Sequence, residues 1–140
     1  MKKDFIIQTD GGARGNPGPA AIGIYVKDDE GNELLKKGEK IGETTNNVAE
    51  YLAVIKALEW FKENISKDLL GNIIFYIDSS LVVNQLNGVF KIKEARLREL
   101  VLKIKILESE VGGNIFYRHV PREKNKVADG LVNSALDNLI

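Results

Sequence analysis

Cysteine is absent from this 140-residue chain, and histidine, methionine and tryptophan each occur once. Without thiols there is neither a disulfide scaffold nor a thiolate zinc site, which fits a reducing compartment. No run of about 18 apolar residues occurs, so nothing reads as a membrane-spanning helix. The opening Met1-Lys2-Lys3-Asp4 leads only into a short apolar stretch, not a targeting segment. An excess of charge of either sign is missing too: 20 Lys+Arg stand against 20 Asp+Glu, for a formal net charge of +0. The charge balance therefore gives no global sign of a nucleic-acid partner, although a local basic patch would escape that average. What is present, 44% hydrophobic and 29% charged residues, is the composition of an ordinary globule and argues against disorder, collagen or a coiled coil. A chain of this length can bury roughly two thirds of its unfolded surface. The expectation is one soluble, cytoplasmic domain spanning residues 1–140, with no membrane partner.

Apolar periodicity divides the chain into segments. Phe5 to Thr9 reads as a strand ending at Asp10, followed by a glycine-proline loop carrying Gly11, Gly12, Gly15, Pro17, Gly18 and Pro19. Ala21 to Val26 resumes a strand, Asp28 to Asn32 supplies turn chemistry, and Glu33 to Ile41 returns as a more exposed strand, completing an antiparallel meander. From Thr44 the period becomes helical, with Val48, Tyr51, Leu52, Ile55, Leu58 and Phe61 behind a Thr/Asn cap. Ile73 to Ile77 is a β-branched run of the kind found in strands covered on both faces, and it ends at Asp78. Ser79 or Ser80 can cap a short helix through Leu86. A second helix carries Leu97, Leu100, Val101, Ile104 and Leu107. Ile115 to Val120 forms a further strand, and Ala128, Leu131, Val132, Ala135 and Leu139 form the stripe of a terminal helix. This α/β order predicts a mixed sheet with helices on its faces.

Four carboxylates stand out: Asp10, Glu50, Asp78 and Asp129. Asp10 and Asp78 follow apolar strands, and if those strands are parallel neighbours, both emerge at the sheet edge favoured by ligands. Glu50 shares a helical stripe with Val54, Ala57 and Phe61, an odd place for an unpartnered acid, and Asp129 shares one with Val132 and Leu136. Singly, each aspartate has a structural explanation, as turn former or as partner of a helix dipole. Together they would repel unless cations were present, and hard oxygen donors with few histidines select Mg²⁺ or Mn²⁺ over Zn²⁺.

Thr9-Asp10-Gly11-Gly12-Ala13-Arg14-Gly15-Asn16-Pro17-Gly18-Pro19 resembles the opening motif of type 1 ribonuclease H. Thr45-Asn46-Asn47-Val48-Ala49-Glu50, Asp78-Ser79-Ser80 and Arg122-Glu123-Lys124-Asn125-Lys126-Val127-Ala128-Asp129 resemble its later blocks, in the same order and across nearly the whole chain. The resemblance implies a ribonuclease H-like fold, a five-stranded mixed sheet of order 3-2-1-4-5 with helices on both faces. It also implies endonucleolytic hydrolysis of the RNA strand of an RNA/DNA hybrid, leaving 5′-phosphate and 3′-hydroxyl ends. Asp10, Glu50, Asp78 and Asp129 would hold two Mg²⁺ ions, or Mn²⁺, one ion activating water and the other stabilising the leaving 3′ oxygen. Gly11, Ala13, Asn16, Asn46 and Asn47 would face the minor groove and its 2′-hydroxyls. Thr45 would hold a DNA-strand phosphate, and Ser80 would belong to the substrate-binding set.

The likeness has gaps. An arginine often found two residues before the threonine is Glu43 here, and Val89 to Glu94 is too short for the family's basic protrusion. Lys91, Lys93, Arg96, Arg98, Lys103 and Lys105 offer local positive charge, equally consistent with a solvated helix face. Weaker, salt-dependent hybrid binding is expected. His119 is expected within the last strand in a structural role, whereas Arg122 resembles the arginine that replaces the family's loop histidine and would act electrostatically. Trp60 and the tyrosines read as core or partly buried residues. The alternatives are the same fold acting on double-stranded RNA, and a non-catalytic hybrid-binding module; a monomer is expected.

Overall fold

The computed structural model describes residues 1–140. Three antiparallel strands open the chain: β1 (Lys3–Ala13), β2 (Gly18–Asp28) and β3 (Glu33–Thr44). Helix α1 (Asn46–Asn64) leads through a 3₁₀ turn (Lys67–Leu69) to β4 (Leu70–Ile77). Then come α2 (Ser80–Leu86), α3 (Ala95–Val111), β5 (Asn114–His119), a 3₁₀ turn (Arg122–Lys124) and α4 (Lys126–Leu136). The sheet order is β3-β2-β1-β4-β5, with β4 parallel to β1 and β5 parallel to β4.

Burial follows the side-chain alternation of a sheet. Phe5, Ile7, Ile73 and Phe75 meet Val54, Leu58 and Phe61 of α1 and Ile104 of α3 in the main core. Across the sheet, α4 sets Val132 and Ala135 against Ala21 in a smaller cluster. Small residues let it settle there: a Cβ on Gly23 would stand 2.2 Å from the Ala128 carbonyl oxygen, and one on Gly38 2.5 Å from that of Leu131.

Several strand boundaries and one burial pattern depart from the sequence reading. Strand β1 does not stop at Asp10 but continues through Gly11, Gly12 and Ala13, because these pair with Ile22, Ala21 and Ala20 of β2. Strand β4 is not covered on both faces; Ile73, Phe75 and Ile77 are buried while Ile74 and Tyr76 are half-exposed. The reason is that α4 packs over β1, β2 and β3 and leaves the β4-β5 half of that face open. The strand enclosed on both sides is β2. Leu139 lies beyond α4 and is exposed, so the terminal stripe ends at Leu136. Residues Val89 to Glu94 contain no helix.

Candidate active site

Parallel pairing of β1 with β4 aligns Gln8 with Tyr76, and continuing that register by two residues sets Asp10 opposite Asp78. Glu50 arrives from α1, whose start is fixed by Thr45: its Oγ1 accepts the Val48 amide at 3.2 Å. Glu50 can approach Asp10 because Gly11 has no side chain; a Cβ there would stand 2.4 Å from the Glu50 nitrogen. The result is a triad in which carboxylate oxygens of Asp10, Glu50 and Asp78 lie within 4.8 Å of one another. Asp129, in the first turn of α4, stands beside the triad, close enough for its charge to act on Asp10. All four line one polar cavity of about 370 Å³, together with Arg122 and Asn46.

Crowding sets the electrostatics. Burial, reinforced by the charges of Asp78 and Asp129, pushes the Asp10 carboxyl up to about 8. Burial and the charges of Asp10 and Asp78 do the same to Glu50, also to about 8, with the polar Ser79 hydroxyl nearby opposing. Asp78 is raised by burial too, with the positive charge of Arg122 opposing. Four acids face one another while the cavity's two arginines are Arg122, beside Asp78, and Arg14, already paired with Asp137, so the site is short of positive charge. A group of this kind could hold a divalent metal.

The loop after β1 is tied to the start of α1. The Ala13 amide donates to Asn46 Oδ1 at 2.7 Å, and the Asn46 amide donates to Asn16 Oδ1 at 3.0 Å. Ala13, Asn16 and Asn46 therefore form one unit on the cavity rim, and Asn47 is half-exposed beside it. Gly11 is buried against α1. Thr45 is engaged as the α1 cap. Of the two serines, Ser79 lies near Glu50 and caps α2, accepting the Val82 amide at 3.3 Å; Ser80 is exposed at the first position of α2. His119 is the last residue of β5, paired with Ile77 and exposed, and its charge also acts on Asp78. Arg122 lies on the 3₁₀ turn at the cavity wall. Arg14 lines the cavity as well and is held by Asp137 at 2.6 Å.

Four contributors had weak or no sequence signal. Gln8 Oε1 accepts the amides of Val127 and Ala128, at 3.1 and 3.2 Å. Asn125, fully buried, donates from Nδ2 to the Thr9 carbonyl at 2.9 Å. Gly23 and Gly38 permit the approach of α4 described above. A polar residue between Ile7 and Thr9 is visible as an exception, but its partners more than a hundred positions away are not.

Comparison with known proteins agrees with this geometry. A family model described as reverse transcriptase-like matches residues 8–135. LC11-RNase H1, isolated from compost, has a structure similar to this chain with a TM-score of 0.89 at 48% identity, covering 97% of each chain. That protein has also been crystallised in complex with an RNA/DNA hybrid. RNase H1 from the halophilic archaeon Halobacterium salinarum gives a TM-score of 0.88 at 36% identity, over 96% of this chain and 98% of the other. A bifunctional protein of Mycobacterium tuberculosis is 39% identical over 133 residues, which are 94% of this chain and 35% of that protein. The chain thus spans about a third of the length of its mycobacterial relatives.

Proposed function

The chain belongs to the type 1 ribonuclease H family, and from that membership we propose that it acts as one domain that hydrolyses the RNA strand of RNA/DNA hybrids with divalent cations. The observation that carries the reading is the set of carboxylate oxygens of Asp10, Glu50 and Asp78 within 4.8 Å of one another. The donor set fits the cations the reaction needs: it is all carboxylate oxygen, without thiolate or imidazole, which suits Mg²⁺ or Mn²⁺. The raised carboxyls of Asp10 and Glu50 support the same reading, since anions crowded this closely are relieved by bound positive charge.

Asp10, Glu50, Asp78 and Asp129 would hold two cations. When bound, these supply an activated water for in-line attack and neutralise charge at the scissile phosphate, giving 5′-phosphate and 3′-hydroxyl ends. The protein's own groups supply position. Arg122 remains protonated and, beside Asp78, is set to hold a phosphate oxygen or stabilise the leaving group electrostatically. Asn46 spends Oδ1 on the Ala13 amide, which leaves Nδ2 as a donor toward a ribose 2′-hydroxyl. Asn16, anchored by the Asn46 amide, offers a second such donor, and Asn47 a third.

The test is Asp78→Asn. It removes one anion while keeping the side-chain size, so fold and melting temperature should hold. Loss of several kcal/mol of transition-state stabilisation would reduce turnover by about 10³-fold or more. End analysis of the wild-type products should find a 3′-hydroxyl on the fragment upstream of each cut and a 5′-phosphate on the fragment downstream of it. Substantial Mg²⁺-dependent cleavage by the variant, or 3′-phosphate products, would sink the assignment.

A further inference from the structure

Gln8 follows the apolar residues Phe5, Ile6 and Ile7 on β1. Alternation sends Ile6, Gln8 and Asp10 to the face on which α4 lies, while Ile7, Thr9 and Gly11 turn to α1. Helix α4 begins without a side-chain cap of its own: Asn125, at its N-cap position, spends its side-chain amide on the Thr9 carbonyl. The first amides of a helix have no partner within it. Here Val127 and Ala128, the second and third residues of α4, donate to Gln8 Oε1 at 3.1 and 3.2 Å. Those are the amides that an N-cap side chain normally takes. The next residue is Asp129, and two positions beyond Gln8 on β1 is Asp10.

We propose that Gln8 is a positioning residue that caps α4 from the neighbouring strand and thereby fixes Asp129 against Asp10. The proposal rests on the reading of the carboxylates as a cation site. Elsewhere α4 meets the sheet through the apolar residues Ala21, Val132 and Ala135 and through the close approach of its backbone at Ala128 and Leu131 to Gly23 and Gly38, and Arg14 pairs with Asp137 at its far end. They set how closely α4 lies on the sheet, but none of them is a hydrogen bond to its first turn, where Asp129 sits. Direction comes from the Gln8 acceptor and from the Asn125 amide, so β1 addresses α4 at Gln8 and Thr9, immediately before Asp10. Groups that orient metal ligands commonly affect metal affinity or activity by about tenfold or more when removed.

The experiment uses the full chain. Mn²⁺ is titrated calorimetrically without nucleic acid, and hybrid cleavage is measured at saturating Mn²⁺. Gln8→Leu keeps the approximate volume and loses the acceptor, and Gln8→Met repeats the comparison should the leucine variant not fold. Gln8→Glu keeps the acceptor. Ile104→Val, in the core beneath α3, is the control for a modest loss of stability. Gln8→Leu should weaken Mn²⁺ binding about tenfold and lower kcat with KM for the hybrid unchanged, and Gln8→Glu should restore both. If Gln8→Leu merely melts earlier, as Ile104→Val does, with wild-type Mn²⁺ affinity and kcat, the proposal is wrong. If wild type binds Mn²⁺ yet cleaves no hybrid, the ribonuclease reading falls alone and the affinity comparison still decides the role of Gln8. If wild type binds no Mn²⁺, both fall.

Discussion

Gly11 and Glu50 meet backbone to backbone: a Cβ on Gly11 would stand 2.4 Å from the Glu50 nitrogen and 2.2 Å from the Ala49 carbonyl carbon. This contact brings an acid on a helix to an acid on a strand. Gly11→Ala must push α1 off β1 exactly where the site is assembled, since the obstructing atoms are backbone and cannot rotate away. Overpacking of this kind costs about 1–3 kcal/mol. The variant should show a lower melting temperature and weaker Mn²⁺ binding by calorimetry; a wild-type Mn²⁺ affinity would mean that the contact does not set the spacing.

The crowded acids make metal-free stability depend on pH. Asp10 and Glu50 are held at about 8 in the folded state, above the ordinary carboxylate range of about 4. Between those values the folded protein keeps protons that the unfolded chain releases, so this contribution to stability is complete below pH ~4 and is lost as pH rises through about 8. Asp28 and Asp137, whose carboxyls are lowered, act at acid pH and stay ionised above it. In EDTA the melting temperature should therefore fall between pH 5 and 9. Mg²⁺, which favours the ionised acids, should flatten the decline. A metal-free melting temperature that rises over this window would contradict the arrangement.

Asn46 joins the loop after β1 to α1 through its own two bonds, to Ala13 and Asn16. Asn46→Ala removes an acceptor and a donor together. The bond from Ala13 is lost while the Asn46 backbone amide still reaches Asn16, and the hybrid loses a groove contact, so KM should rise about tenfold or more, an effect of about 1.4 kcal/mol, with a smaller change in kcat. Asn16→Ala should raise KM in the same direction. Steady-state kinetics on a hybrid of fixed sequence checks this, and an unchanged KM in both variants would remove the asparagines from substrate recognition.

Arg122 and His119 both act on Asp78, but Arg122 is the one that lines the cavity. Arg122→Ala should reduce kcat by about 10- to 100-fold, the range expected for losing one positioned charge of about 1.4–2.7 kcal/mol. His119→Ala should change it by less than about threefold. The opposite ranking would transfer the role to His119.

Much of this was legible in the sequence because each signal was local. The change of period near Thr44 marks α1, and Thr45 caps it as its side chain suggests. Apolar runs ending at Asp10 and Asp78 place both acids at one edge once β1 and β4 are parallel, as the pairing confirms. What was hidden depends on partners far along the chain. Gly11, Gly12 and Ala13 read as loop, since glycine has little strand preference, yet pairing with β2 makes them strand. The open half-face of β4 follows from where α4 lands, which Gly23 and Gly38 decide. Ser79 and Ser80 were equivalent as caps; the structure gives the cap to Ser79. The bonds from Gln8 to α4 span 119 and 120 positions and leave no periodic trace.

The most direct test of the central claim is cleavage of end-labelled RNA/DNA hybrid, double-stranded RNA, single-stranded RNA and DNA duplex, each with Mg²⁺, Mn²⁺ or EDTA. The expected result is internal cutting of RNA in the hybrid, abolished by EDTA. Cutting of double-stranded RNA as well would widen the substrate range and point to Glu43 and the short Val89 to Glu94 connection. A hybrid that is bound but left intact with either metal would contradict the catalytic account and leave a binding module in its place.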